Sequence, residues 1–224
     1  QAVTAAWVPD RIAAALLYAW CLSGVLEGIA GFGVPLAVVA PMLITLGVSP
    51  LTAVAATAVG HAWSVTFGDM GVVYQALLSV SATPGGRIMP AAAALMGGVC
   101  VASGWVVATM LGIRAGTTLV RVTAVGITMA AVQAALAFAG LAPVASIGAG
   151  LAGMAVGFIL LGVKAPTRSR PSSSTASLVP LAPYLLAALL LAIPSLFPSV
   201  TRALGGSTTA VTLPEVSTKL GWVT

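Results

Sequence analysis

Gly24–Pro35 reads GVLEGIAGFGVP. A single carboxylate, Glu27, stands between two apolar runs and is followed by Gly28, Gly31, Gly33 and a proline. The flanking runs, 12–26 and 34–48, have about 15 residues each, roughly 22 Å as helix. A comfortable crossing of the hydrocarbon core takes about 20 residues. Glu27–Gly33 is too polar and too rich in glycine to continue a helix. Irregular backbone at membrane depth survives only where protein or water covers it. The stretch therefore reads as the tip of a re-entrant helical hairpin over 12–48, with two slightly short spans and a surface loop as the alternative.

The rest of the chain supplies the membrane. Of its 224 residues 59% are hydrophobic and only 6% charged, with a mean hydropathy of +1.12. Soluble domains carry about 25% charged residues, so this surface must be covered largely by lipid. The net charge of +5 then reads as loop arginines and lysines, not as a nucleic-acid footprint. Cys21 and Cys100 lie in apolar runs without metal or disulfide spacing and read as buried thiols. With one histidine and two distant cysteines there is no metal-ligand set. GIAGFG has no strand before it, which excludes a dinucleotide loop. Gln1 is followed by no charged segment with a cleavage site, so a signal peptide is not expected.

Runs 88–113, 119–141 and 144–163 are long enough to span, and 181–197 is marginal. The run 51–82 is too long for one simple span and is interrupted at Gly68-Asp69-Met70-Gly71. It reads as a membrane helix broken near its middle, the kind of element on which transporters hold substrate and ions. The expected organisation is hairpin and broken helix over 11–82, three membrane helices over 88–163, a polar cytoplasmic linker over 164–180, a further membrane helix over 181–198, and a tail over 199–224 with no assigned place. The linker contains KAPTRSRPSSSTAS, a low-complexity stretch. If it is cytoplasmic, Arg11, Arg114, Arg121, Lys164, Arg168 and Arg170 fall inside and Arg87, Arg202 and Lys219 outside, the expected bias.

Glu27, His61, Ser64, Thr66 and Asp69 bring polarity into apolar regions. An ionisable group at the bilayer centre costs about 2.5–3.5 kcal/mol even on lenient scales, and burial favours a neutral carboxyl that carries a proton. Glu27 reads as a proton or ligand site, or as a cap on the returning helix. Asp69 carries the same two readings. His61 is a structural hydrogen-bonding residue or a partner of Asp69 across the break. Glycine permits positive φ and close approach, so Gly31, Gly33, Gly68 and Gly71 are expected in conformations that a β-carbon disfavours. Open N–H groups beside a helix start suit a bound anion. An organic anion held there would meet Gly28, Gly31, Phe32 and Gly33 on the tip and Ser64, Thr66, Gly68 and Gly71 on the broken helix. The first reading of Phe32, like that of Trp63, is packing. Gly153 and Gly157 form a GxxxG contact motif.

LEGIAGFGVPLAVVAPMLITLGVSPLTAVAA, followed by VTFGDMG and the late VTLPEVST, resembles the lactate permease family of secondary transporters, which includes glycolate permeases. The likeness is specific over Arg11–Leu78 and mostly one of hydropathy from Arg87 to Pro198. It departs where enteric lactate carriers have Asn-Thr-Ala-Pro and this chain has Gly60-His61-Ala62-Trp63-Ser64. The resemblance implies a portion of a longer chain and proton-coupled symport of a small 2-hydroxy monocarboxylate, multi-pass in the cell (inner or plasma) membrane. It implies no cofactor beyond the proton as coupling ion, with sodium as the alternative ion, and leaves room for a homodimer. The hairpin followed by a broken helix resembles one repeat of an elevator-type ion-transporter fold, by fold-level analogy. The expected fold is thus all-α, with hairpin, broken helix and about four further membrane helices. Glu27 is the expected coupling carboxylate, Asp69 its rival, and His61 a tuning group. The competing readings are a carrier of another organic anion, a sodium-coupled carrier, a non-transporting membrane subunit, and a membrane hydrolase built on His61, Ser64 and Asp69. No oxyanion-hole motif accompanies the last of these.

Overall fold

A computed structural model of the chain describes residues 9–31, 33–81, 84–114, 116–163 and 199–200. Phe32, the linker 164–180, the helix expected at 181–198, the tail beyond residue 200 and the VTLPEVST segment lie outside the described residues. Every regular element among those described is helical, and four helical stretches are long and apolar enough to cross a membrane.

The first of these is longer than the first arm expected over 12–26. Helix α1 (Pro9–Leu17) runs through a π-turn at Tyr18–Leu22 into α2 (Ser23–Ala30), and Arg11–Ala30 is by itself long enough to span. Glu27 and Gly28 stay inside α2, and only Gly31–Gly33 breaks the path. Gly31 N donates to Glu27 O (3.1 Å) and closes the helix, while Gly33, at φ +89°, turns the chain into α3. Helix α3 (Val34–Thr45) carries Pro35 in its first turn, where the missing N–H costs nothing. It returns against α2 and the π-turn. The two arms are therefore unequal, a full-length helix and a short return of 12 residues.

Helix α4 (Pro50–Gly60) starts at Ser49, whose hydroxyl accepts from Thr52 N (3.3 Å). The interruption expected at Gly68–Gly71 begins earlier than the glycines suggested. A 3₁₀ run at Ala62–Phe67 and a short turn at Asp69–Gly71 separate α4 from α5 (Val72–Val80). Three long helices complete the bundle: α6 (Gly85–Met110), α7 (Gly116–Phe138) and α8 (Ala142–Leu160).

The α1–α2 helix is the axis of the packing: 67% of its spanning window is buried, against 28–33% in the other three. Glycines on the surrounding helices make the room. Trp20, fully buried, fills a notch left by Gly104 on α6 and Gly126 on α7. On α8, Gly150 faces Val25, Gly153 faces Met129 and Cys21, and Gly157 faces Leu17. The GxxxG pair thus serves a helix contact, as small residues do where backbones must approach in lipid. Outward-facing Leu95, Val120, Ile127, Leu151 and Ile159 are exposed, as lipid contact requires. Cys21 and Cys100 are free and buried.

The π-turn has a structural consequence. The carbonyls of Ala19 and Trp20 lie beside the broken segment there, while the Ser23 hydroxyl, one turn on, donates to both of them. A Cβ on Gly60 would fall on Ala19 O, and Trp63 Nε1 donates to Trp20 O (3.4 Å). Trp20→Ala removes the central knob of this arrangement. An expected loss of about 3–5 kcal/mol should appear as a large drop in the thermal unfolding midpoint of the detergent-solubilised protein, and an unchanged midpoint would refute the central role of Trp20.

The bundle also sorts the arginines. Leu17 packs on Gly157 near the end of α8, and Leu111, Ile113, Leu119 and Leu160 join the same cluster. Arg11, Arg114 and Arg121 therefore gather at one end, all exposed. Arg87 lies at the far end of α6, a helix of 26 residues, or about 39 Å.

Candidate functional site

The end of α2, the irregular run 61–71 and the first turns of α8 meet at one place. Glu27 and Asp69 are both buried there, each 6% exposed. Two glycines let them approach. A Cβ on Gly31 would overlap the carboxyl group of Asp69, and a Cβ on Gly68 would lie 2.9 Å from Ser64 O and 3.2 Å from Glu27 Cγ. The Asp69 carboxyl thus rests on Gly31, and the Glu27 Cγ and backbone carbonyl rest on Gly68. Among the described residues neither carboxylate has a hydrogen-bond partner. Glu27 lies within electrostatic reach of both Asp69 and His61.

The backbone at the break is strained, though not where glycine predicts. Gly68 has an ordinary extended conformation (φ −76°, ψ −179°), which corrects the expectation of a positive φ there. Its need is for space. The left-handed residues are Asp69 (φ 49°) and Met70 (φ 54°), followed by Gly71 (φ 80°). A non-glycine residue in this region costs roughly 1–2 kcal/mol, and two in succession persist only where the surroundings enforce them. Here Gly71 lies against Pro143 of α8 and Gly71 N donates to Gly68 O (2.7 Å). The result points the Asp69 side chain at Gly31 instead of into α5.

Three helix starts adjoin this turn. Helix α3 begins just after Gly31, α5 just after Gly71, and α8 at Ala142–Pro143, in contact with Gly71. Each start carries the positive end of its helix dipole, while Val34 N, Val72 N and Val144 N already donate to Gly31 O, Asp69 O and Leu141 O, and Pro35 and Pro143 have no N–H. Two buried carboxyls beside these positive helix ends can hold a proton, or leave room for an anion once a carboxyl is neutral.

The other expected residues are placed as follows. Gly28 is buried against Ile147 and Ser146 and takes part in helix packing. Gly33 is exposed with nothing near its missing side chain. Thr66 is half-buried. His61 ends α4, and its Nδ1 sits 2.7 Å from Thr57 O in its own helix. Ser64 Oγ donates to His61 O (2.7 Å), a backbone atom, so the imidazole does not activate that hydroxyl and the hydrolase reading has no nucleophile–base pair. Among the described residues no group of His, Cys, Asp or Glu is placed to hold a metal ion.

Two further site residues, Gln133 of α7 and Ser146 of α8, were not singled out in the sequence. Both are fully buried. Ser146 Oγ donates to Ser64 O (3.0 Å), and Gln133 Nε2 lies 3.5 Å from Trp63 O and 3.4 Å from Ser146 Oγ. An amide in the middle of an apolar helix is itself a signal, but its target lies far away in sequence.

A bundle of apolar helices long enough to span, with a glycine-lined break and buried carboxyls, defines a multi-pass helical membrane protein. A family model described as L-lactate permease matches residues 2–215. The chain belongs to the L-lactate permease family. It is 39% identical over 64 residues to an L-lactate permease of Escherichia coli, covering 29% of this chain and 12% of that protein. Against an L-lactate permease of Bacillus subtilis it is 37% identical over 75 residues, 34% of this chain and 13% of the relative. A Halalkalibacterium halodurans L-lactate permease gives 42% over 57 residues, 25% and 11%. The matched stretches thus span only about an eighth of those relatives' length. No solved structure matches.

Proposed function

We propose that the protein containing this chain carries a small 2-hydroxy monocarboxylate, lactate- or glycolate-like, into the cell in symport with a proton. The observation that carries the reading is the pairing of Glu27 on Gly68 with Asp69 on Gly31, surrounded by three helix starts. The relatives named L-lactate permease support the substrate class. Glu27 is the principal coupling carboxyl and Asp69 its rival. The neutral form of a buried carboxyl is the cheaper one, and once neutral it no longer repels an anion held by the N–H groups of the tip. The chain resides in the cell membrane, with the Arg11, Arg114 and Arg121 end cytoplasmic. The α1–α3 hairpin and the broken α4–α5 helix act as the substrate-carrying unit of an elevator-type repeat.

The test is uptake of labelled lactate and glycolate by proteoliposomes of the full-length protein, with an imposed pH gradient and no sodium. Accumulation that follows the pH gradient supports the reading. Accumulation only with sodium makes the carrier sodium-coupled, and exchange of neither acid leaves another organic anion or a non-transporting subunit. Topology has its own test: cysteines placed at Arg11 and Ser49 are expected to react only from the cytoplasmic side, because α3 returns toward the end from which α1 starts. Labelling from opposite faces would sink the hairpin.

A further inference from the structure

Gln133 and Ser146 belong to helices that contribute neither carboxyl, yet both reach the irregular backbone that carries Asp69. We propose that Gln133 is a positioning residue, which through Ser146 fixes the Trp63 and Ser64 carbonyls and thereby holds Gly68 against Glu27. This rests on the reading of Glu27 and Asp69 as the transport carboxyls.

The hydrogen bonds have a direction. Ser146 spends its proton on Ser64 O, so its oxygen is free to accept from Gln133 Nε2, whose second hydrogen faces Trp63 O. The reverse orientation of the amide would set Oε1 against Trp63 O, acceptor on acceptor. In the orientation present Oε1 has no partner, an unfavourable state for a buried acceptor. The side chain tolerates that loss to keep one donor on Trp63 O and the other on Ser146 Oγ, whose own proton reaches Ser64 O. Trp63 O and Ser64 O are the carbonyls of successive residues in the 3₁₀ run. Ser64 O lies beside Gly68, whose other neighbours are Glu27 Cγ and Glu27 O. Ser146 also packs on Gly28, one residue beyond Glu27. The contact path thus runs from α7 through α8 and the 3₁₀ run to the coupling carboxyl.

The test compares Gln133→Met, which keeps length and bulk while removing both donors, with the milder Ser146→Ala in the full-length protein. Two readouts need no transport: hydrogen exchange of the 62–71 backbone, and the rate at which a hydrophobic carbodiimide labels Glu27, read by mass spectrometry. Both rates are expected to rise roughly tenfold in Gln133→Met, as for the loss of the one buried hydrogen bond made directly to that backbone, at Trp63 O, with exchange in α6 unchanged. Ser146→Ala should move them the same way, and the double variant should add little, because both residues act on one chain of bonds. Wild-type rates in Gln133→Met would overturn the proposal, as would faster exchange spread over all helices, which marks a purely structural role. Lactate uptake by the wild-type protein, measured alongside, judges the transport reading separately. Its failure would leave the two rates to decide whether Gln133 positions Glu27.

Discussion

Glu27→Gln is expected to yield a carrier that still exchanges substrate across the membrane and no longer concentrates it when a pH gradient is imposed. For one proton per monocarboxylate, a gradient of one pH unit supplies about 1.4 kcal/mol, or about tenfold accumulation. The variant should fall to none, because a glutamine is neutral at every pH and carries no proton on either leg of the cycle. Exchange survives because the glycine tip and the helix starts that would hold the anion are untouched, and glutamine keeps the Cγ that packs beside Gly68. The sign is fixed by the chemistry. Wild-type protein accumulates substrate when the outside is acidic, since loading needs the protonated group, and Glu27→Gln responds to neither direction of the gradient. Concentration of substrate by this variant would move the role to Asp69, with Asp69→Asn as the next test.

Gly31→Ala is expected to lower transport about a hundredfold, the scale on which a misplacement of about 1 Å acts on a positioned group. The added carbon would occupy the space of the Asp69 carboxyl, at a backbone φ of +21°. Neither partner can yield easily: Asp69 is held by its left-handed turn against α8, and Gly31 by its bond to the end of α2. Gly68→Val should act in the same direction through Ser64 O and Glu27. Gly33→Ala is the matched control. That position has positive φ but nothing within 4 Å of the missing side chain, so the cost is roughly 1–2 kcal/mol of backbone strain, with transport retained. The comparison is made on protein that reaches the membrane in wild-type amount. Equal transport by Gly31→Ala and Gly33→Ala would remove Asp69 from the site.

What the chain alone determined was what depends on neighbours in sequence. Sparse charge and long apolar runs require a helical membrane protein. Gly31, Gly33 and Pro35 mark a turn wherever the chain goes next, and Gly68 and Gly71 mark an interruption in a run too long for one span. Glu27 and Asp69 were legible because a carboxyl in such a run has no cheap place to sit. Local rules failed where a distant surface decided. Glu27 and Gly28 stay helical because Ser146, Ile147 and Gly68 close around that last turn, so the first arm became a full helix and not half of a short pair. Asp69 and Met70, rather than Gly68, take the left-handed conformation because Pro143 and Gly31 press on the turn from two other helices. Gln133 and Ser146 joined the site only in three dimensions. Their reach to Trp63 and Ser64 depends on which faces of α7 and α8 meet the central helix. That register is set by Trp20 between Gly104 and Gly126 and by Leu17 on Gly157. Hydropathy and turn chemistry act along the chain over a few residues, whereas the fit of a knob into a glycine notch joins residues a hundred positions apart, and only the folded bundle contains it.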